Sequence, residues 1–396
     1  MNNIENTATL SVRNFAQIAS GQVEFGDFTL LVGAQASGKS LFLQLLKLLV
    51  DKDQISNTLK TNGYDWGKNS KLLLELFFGE GMSNIWKRNT EVIFGSSKAL
   101  SADYFLLKQG RPTAKEKEEN LFYIPAQRVT AMYQGWPRSF GAFEIGDPYV
   151  LKSFGETLRI LMERESTNGH GGQSDVFPRL GRMSSALREE IDKAIFYGAK
   201  VKLDKSTLKR RFMMHISESE LPIMSWSAGQ KEFLPLLLSL YHLIPSSKVS
   251  RKDNLEWVVI EEPEMGLHPR AIQAVLLLCF ELMERGYKVV ISTHSPVLLE
   301  LAWTMNYVQS MNGNAKDLAQ LFATNKTSLK KLYQTIIDNK TFKTYYFQRN
   351  EGGVVIKDIS SLDAGSDDTA EANWGGLSEF ASRAAEVIAK LAAHHG

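Results

Sequence analysis

The sequence predicts an α/β fold with a parallel sheet at its core, and three features carry this prediction. Residues 28–32 form an apolar run between two glycines, and the helical pattern of residues 40–50 follows it. Residues 257–260 and 288–292 are two further apolar runs, and polar residues come directly after each of them. Continuous apolar runs of this length are typical of strands covered on both faces. Ligands of such sheets bind at the carboxyl ends of the strands, where these polar residues lie.

The turn after the first strand has the phosphate-loop spacing G-x-x-x-x-G-K-S. A glycine-rich turn between a strand and a helix points backbone N–H groups at phosphate, and the helix N-terminus adds its dipole. We expect Lys39 to reach the β- and γ-phosphates of ATP and the Ser40 hydroxyl to bind Mg²⁺. The residues expected to hold the nucleotide here are Gly33, Ala34, Ser37, Gly38, Lys39, Ser40 and Leu41.

Two adjacent carboxylates, Glu261 and Glu262, end the strand at residues 257–260. Successive residues of a strand face opposite ways, so two neighbours can perform two tasks. Glu261 is expected to bind the metal ion through a water molecule. Glu262 is expected to orient and deprotonate the water that attacks ATP. For Glu264 the favoured interpretation is a cap of the following helix.

Ser227, Ala228, Gly229 and Gln230 precede a long apolar helix, and a Ser and a Gly at a helix start form an anion site. The chain already has a phosphate loop, so a second anion site indicates a second subunit. We expect Ser227, Gly229 and Gln230 to contact nucleotide. A simple N-cap by Ser227 is compatible with that role.

Two polar residues at strand ends complete the candidate site. His294 follows the strand at residues 288–292 and is the candidate sensor of the γ-phosphate. Gln127 follows a short apolar run, residues 121–124, and is expected to touch Mg²⁺ or the attacking water. The neighbouring Arg128 is the alternative to Gln127.

In this order the motifs resemble those of the ABC-type ATPases of the RecF, Rad50 and OLD (overcoming lysogenization defect) group. The resemblance covers roughly residues 8–50, 121–130 and 224–300, and EEPEMGLHP and STHSP are its most specific parts. It implies a P-loop NTPase of the ABC type with an N-terminal β-rich lobe, and ATP held between two subunits. Glu261 stands where most ABC proteins have Asp, His268 where transporters have the D-loop Asp, and Ala228 where LSGGQ has Gly. The first two departures are habitual in the OLD-like branch, whereas Ala228 adds a methyl group beside the partner's phosphate.

Composition bounds the class of protein. The 396 residues are 43% hydrophobic and carry a formal net charge of +2. The chain as a whole is therefore not positive enough to indicate nucleic-acid binding. The single cysteine, Cys279, lies in an apolar helical segment, which predicts a reducing compartment. The sequence has no signal-peptide pattern and no apolar run long enough for a membrane span. These features predict a cytoplasmic protein that does not associate with membranes.

The motif spacing predicts how the chain is organised. Residues 1–360 are expected to form the ATPase head, with a mixed α/β insertion at about 51–120 and a mostly helical one at 130–222. Residues 361–396 are expected to be a linker and a final helix. Asp363, Asp367 and Asp368 lie in that linker with the wrong spacing for a TOPRIM nuclease. A run of basic residues is interpreted as a solvated face, with nucleic acid as the alternative partner: Lys200, Lys202, Lys205, Lys209, Arg210 and Arg211.

Three functions remain open from the sequence. The first is an ATP-driven homo-oligomeric switch that controls a separate effector, as in antiviral systems resembling PARIS, where an ABC ATPase scaffolds a TOPRIM nuclease and a viral protein is the trigger. The second is a RecF-like repair ATPase that acts directly on DNA. The third is the ATP subunit of a transporter, which the large insertions disfavour. The near-neutral charge favours the first function over the second.

Overall fold

The structure is a computed structural model, and it describes residues 8–95, 98–106, 118–167, 173–179, 181, 183–204, 210–244, 251–252, 254–324, 326–363, 365–377 and 379–395. Its strands are β1 (Thr9–Phe15), β2 (Ile18–Glu24), β3 (Phe28–Gly33), β4 (Trp86–Phe94), β5 (Leu121–Ile124), β6 (Met132–Tyr133), β7 (Trp136–Pro137), β8 (Gln173–Phe177), β9 (Lys200–Asp204), β10 (Arg211–Ile216), β11 (Ser219–Pro222), β12 (Trp257–Glu261), β13 (Lys288–Thr293), β14 (Phe342–Asn350) and β15 (Gly353–Asp358). Its α-helices are α1 (Lys39–Val50), α2 (Lys52–Thr61), α3 (Ser70–Phe78), α4 (Tyr149–Thr167), α5 (Ser185–Ile191), α6 (Ala228–Leu243), α7 (Pro269–Glu284), α8 (Pro296–Ser310), α9 (Ala315–Leu321), α10 (Thr327–Asn339), α11 (Thr369–Ala372) and α12 (Glu379–His395).

The central feature is a mixed sheet, to which the described residues contribute nine strands in the order β4-β1-β2-β15-β14-β3-β13-β12-β5. From β14 to β5 each neighbouring pair is parallel. Every residue of β3, β5 and β12 is buried, as expected for strands covered on both faces. The predicted α/β class and its parallel core are therefore confirmed.

Helices cover both faces of this sheet. Leu30 and Val32 of β3 belong to an apolar cluster that contains most of the buried residues of α6 and α7. Leu31, which points the other way, belongs to a second cluster with residues of α1 and α3. The three layers fix β3, β12 and β13 side by side, so the polar segments that follow these strands meet at one edge of the sheet.

The N-terminal β-rich lobe is also confirmed, and it is continuous with the parallel core. β1 is antiparallel to both β2 and β4. A hairpin of β14 and β15 joins this lobe to the core, since β15 pairs antiparallel with β14 and parallel with β2. Its turn lies between Asn350 and Gly353.

The two insertions differ in how closely they follow expectation. Residues 51–120, expected to be mixed α/β, contribute α2, α3 and the edge strand β4. Residues 130–222, expected to be mostly helical, contain α4 and α5 but also a second sheet, of order β11-β10-β9-β8. Its strands are short and mix apolar residues with polar ones, a weaker pattern than that of the two helices. The limits of the domains stay a prediction.

The C-terminal part is a polar linker followed by helix α12, as expected. Asp368 caps α11 and pairs with Lys357 at 2.9 Å, which gives this linker carboxylate a local structural role. Phe380, Val387 and Leu391 of α12 are all more than half exposed. Among the described residues no helix combines the length and the apolar character that a membrane crossing requires.

Candidate nucleotide-binding site

The phosphate loop connects β3 to α1, as predicted. Gly33 and Gly38 have φ values of +149° and +96°, which favour glycine. A Cβ atom on Gly33 would lie 2.8 Å from the carbonyl oxygen of Phe347. Gln17 and Arg349, which the sequence reading missed, hold the loop from outside by donating to the carbonyl of Ala36 at 3.2 and 2.8 Å.

The Lys39 ammonium group lies inside this loop. Its Nζ donates to the carbonyls of Gly33 and Ala34 at 2.7 and 3.0 Å and contacts Ser37 Oγ at 3.4 Å. Burial lowers the pKa of Lys39 to about 8, and the carboxylates that follow β12 limit that decrease. The cation at the start of α1 and the carboxylates at the end of β12 therefore act within one site. Ser40 and Leu41 form the first turn of α1, where Ser40 is exposed.

Glu261 has the surroundings of a metal-binding carboxylate. One of its oxygens, Oε2, accepts from the backbone N–H of Ala126 at 3.3 Å. The other, Oε1, is buried without a hydrogen-bond partner in the described part of the chain. Burial raises the pKa of Glu261, and the neighbouring Ser40 hydroxyl partly offsets that effect. An unpartnered carboxylate oxygen beside a hydroxyl fits Mg²⁺, which prefers oxygen ligands.

Glu262 and His294 form the second pair of the site. His294 Nε2 lies 3.6 Å from Glu262 Oε1, and each side chain is about one-third exposed. The His294 side chain is the main cause of the lowered pKa of Glu262, so the carboxylate is ionised. The backbone of Glu262 has a φ of +43°, and its N–H donates to the carbonyl of Ser292. An ionised, accessible carboxylate beside an imidazole can accept a proton from water.

Gln127 and Arg128 separate into two different environments. Arg128 is fully buried, and its guanidinium donates to three backbone carbonyls, those of Glu232, Glu261 and Glu262. It thereby braces the end of β12 from inside the protein. Gln127 is exposed just beyond the carboxyl end of β5. This arrangement favours Gln127 over Arg128 as the residue that contacts a ligand, although that role stays a prediction.

The segment Ser227 to Gln230 forms the N-terminus of α6. Ser227 caps the helix, and Gln230 closes a capping box and also donates to the carbonyl of Ile195 at 3.2 Å. Gly229 lies so close to the loop after β12 that a Cβ atom on it would be 2.6 Å from the carbonyl oxygen of Gly266. Ser227 and Ala228 are exposed and can meet a ligand from another chain. The Gln230 amide is used within its own chain.

Glu264 is the site residue whose role the sequence did not reveal, and its interpretation as a helix cap is wrong. The cap of α7 is His268, whose Nδ1 accepts from the N–H of Arg270. Glu264 Oε1 instead accepts from Thr293 Oγ1 and from the N–H of His294, both at 2.7 Å. The position of Glu264, two residues after Glu262, did not indicate this contact in the sequence. The contact depends on the turn that begins at Glu262.

Comparisons with known proteins give two sequence matches. Residues 178–300 match the family described as "AAA domain, putative AbiEii toxin, Type IV TA system". The "Old nuclease" of Escherichia phage P2 is 22% identical over an alignment of 355 residues, and the match covers 76% of this chain and 58% of that protein. The chain therefore spans little more than half the length of this curated relative.

Two solved structures of SMC head domains are similar at a greater distance. The SMC head domain from Thermotoga maritima is 12% identical, with a TM-score of 0.36 and coverage of 88% of this chain and 97% of that one. An SmcHead bound to the C-winged helix domain of ScpA is 10% identical, with a TM-score of 0.42 and coverage of 88% and 96%. With TM-scores this low, the two structures add nothing to the description of the fold given above. In their ordered motifs and in these two sequence matches, the chain is similar to OLD-like ATPases of the ABC type.

Proposed function

We propose that the chain binds and hydrolyses ATP and acts as a nucleotide-dependent switch for a separate effector protein. The observation that carries the enzymatic part is the meeting of Lys39, Glu261 and the Glu262–His294 pair at one edge of the sheet. A cation for phosphate, a carboxylate for a metal and a base for water are the groups that phosphoryl transfer to water needs.

The division of labour follows from the position of each group. Lys39 and the N–H groups of the loop bind the β- and γ-phosphates. Ser40 and Glu261 would hold Mg²⁺, which neutralises charge on the phosphates when it is bound. Glu262 accepts a proton from the attacking water, and His294 orients that carboxylate and senses the γ-phosphate. Gln127 contacts the metal or the water from the edge of the site.

We propose that ATP is held between two copies of the chain. The exposed N-terminus of α6 offers N–H groups and a positive dipole end to an anion. This anion site packs against the loop after β12, so it is tied to the catalytic segment of its own chain. Two nucleotides held in this way would join the subunits, and hydrolysis would loosen them.

Two exposed apolar faces support a separate protein partner. Trp303, Tyr307 and Met311 lie four residues apart along α8 and just beyond its end, and all are exposed. α8 begins directly after the segment that holds His294, so a protein bound here would be close to the nucleotide switch. α12 exposes a second apolar stripe. We propose an effector such as a TOPRIM nuclease, held or released in antiviral defence when a viral protein triggers the switch.

The charge pattern does not favour direct action on DNA. Lys205 and Lys209 of the predicted basic run lie outside the described residues. Of the others, Arg211 pairs with Asp204 at 3.4 Å and Arg210 lies over the ring of Trp136. The RecF-like alternative therefore rests on a short basic segment in a chain of net charge +2.

The partner surface can be tested without disturbing the nucleotide site. Ile388 and Leu391 are exposed on α12. A double variant with Ile388→Glu and Leu391→Glu should keep wild-type ATP turnover and lose the partner in co-purification from the native host, because charged side chains cannot enter an apolar interface. If the variant retains every partner that the wild type carries, α12 is not the docking element.

The enzymatic part is tested by Glu262→Gln. The amide keeps the size of the side chain but cannot act as a base, so the variant should bind ATP with unchanged affinity and hydrolyse it at least about a hundredfold more slowly. Single-turnover hydrolysis and equilibrium binding of ATP measure the two quantities. Glu218→Gln, an exposed turn residue, is the matched control and should behave as wild type. Normal hydrolysis by Glu262→Gln would exclude Glu262 as the base.

A further inference from the structure

Glu264 holds the segment that carries His294. Its Oε1 accepts two hydrogen bonds, from the Thr293 hydroxyl and from the backbone N–H of His294, each 2.7 Å long. The Thr293 hydroxyl in turn accepts from the N–H of Ser295, which is the N-cap of α8. One carboxylate oxygen thus fixes the turn between β13 and α8.

The other oxygen of the Glu264 carboxylate lies in an unfavourable environment. Oε2 is buried and has no hydrogen-bond partner among the described residues. A buried polar atom without a partner is unfavourable, and such an atom is rare in proteins unless it serves a role beyond stability.

The backbone of Glu264 connects this contact to the surface where a second subunit would bind. The N–H of Met265 donates to the carbonyl of Glu262, and the N–H of Leu267 donates to the carbonyl of Glu264. The turn they form contains Gly266, whose carbonyl packs against Gly229 at the N-terminus of α6. Glu264 therefore joins the loop beneath the exposed anion site to the backbone of His294.

We propose that Glu264 is a positioning residue, which holds His294 beside Glu262 and makes this placement depend on the turn of residues 262–267. In this role Glu264 acts through His294. This inference rests on the proposed hydrolysis of ATP. Its consequence is that Glu264 controls the rate of hydrolysis and leaves nucleotide binding unchanged.

Three variants separate positioning from a purely structural role. Glu264→Ala removes both hydrogen bonds, and kcat should fall by about tenfold to a hundredfold because small displacements of catalytic groups have effects of this size. KM and the Kd for ATP should stay close to wild type. Glu264→Gln keeps the accepting oxygen and should restore most of kcat. Thr293→Val removes one of the two hydrogen bonds to Glu264, together with the one that Thr293 accepts from the Ser295 N–H, and should cause a smaller loss of kcat than Glu264→Ala.

A double-mutant cycle tests the route through His294. In a His294→Ala background, Glu264→Ala should have no further effect on kcat, because the residue that it positions is absent. An equal loss in both backgrounds, or a parallel rise in the Kd for ATP, would overturn the proposal. If Glu264→Ala fails to fold, Glu264→Gln and Thr293→Val in both backgrounds decide it. A wild type without ATPase activity contradicts the proposed function itself, whereas an active wild type with an equally active Glu264→Ala contradicts this inference alone.

Discussion

Three glutamates within four residues divide their tasks by where each side chain points. Glu261, the last residue of β12, faces the interior beside Ser40. Glu262 turns to His294, and Glu264 reaches back to the end of β13. The alternation of a strand predicts the first two from sequence. The third was not predictable, because the positive φ of Glu262 ends that alternation and a spacing alone does not reveal such a turn.

At the same scale, Lys39→Ala should abolish hydrolysis and weaken ATP binding by about tenfold to a hundredfold. The γ-phosphate loses a charge-assisted hydrogen bond, which contributes about 1.5–3 kcal/mol. Isothermal titration of ATP and phosphate release measure the two effects. Lys330→Ala, an exposed residue of α10, serves as the control. Unchanged affinity and turnover in Lys39→Ala would remove the assignment of the phosphate loop.

At the level of elements, the sequence predicts a strand or a helix only where its burial leaves a clear pattern of apolar residues. The strands that are apolar throughout, β3, β12 and β13, are visible because their burial on both faces leaves an uninterrupted run. None of the short strands β8 to β11 is apolar throughout, and the helical pattern of α4 is stronger than theirs. The phosphate-loop and carboxylate motifs follow the ends of the strands that are visible in the sequence. The supports of the loop, Gln17 and Arg349, were not, since they come from distant segments.

A buried ion pair also joins two elements of the nucleotide site. Lys47 of α1 contacts Asp51 and Glu119 at 2.7 Å each and donates to the carbonyl of Leu121 in β5. Burial opposes the charge of Lys47, but the two carboxylates outweigh it and raise its pKa. The helix that follows the phosphate loop is thereby fixed to the strand that precedes Gln127.

Lys47→Ala should lower the free energy of unfolding by about 3–5 kcal/mol, because it leaves the buried carboxylate of Asp51 without its cation. Equilibrium denaturation in urea measures this value. Lys71→Ala, on the exposed side of α3, should change it by less than about 0.5 kcal/mol. A loss below about 1 kcal/mol for Lys47→Ala would show that the buried pair is not a structural link between α1 and β5.

At the level of the whole molecule, the account requires two chains for each active nucleotide. In the proposed function, the phosphate loop and the exposed N-terminus of α6 are two anion sites on one chain. If the N-terminus of α6 contacts the nucleotide that the phosphate loop of the other subunit holds, activity depends on assembly. Control of the effector would then follow from the closing of the two subunits around ATP. Each chain has a net charge of only +2, so two copies repel each other only weakly when they associate.

The structure guides the choice of a variant that blocks the second anion site. A side chain at Gly229 would strike Gly266 within the same chain, so a loss of activity there would be ambiguous. Ala228 is exposed at the first position of α6, where a glutamate is favourable for the helix but repels phosphate. Ala228→Gln has the same shape without the charge and serves as the control.

The most direct measurement is the ATPase activity of Lys39→Ala mixed with Ala228→Glu, where each variant alone is inactive. The account predicts recovery of at most about a quarter of wild-type activity at an equal ratio, because half of the dimers are mixed and each holds one intact composite site. Light scattering and a tag on one chain establish that mixed dimers form. Mixed dimers without any recovered activity, or full hydrolysis by a strictly monomeric wild type, would contradict the shared site.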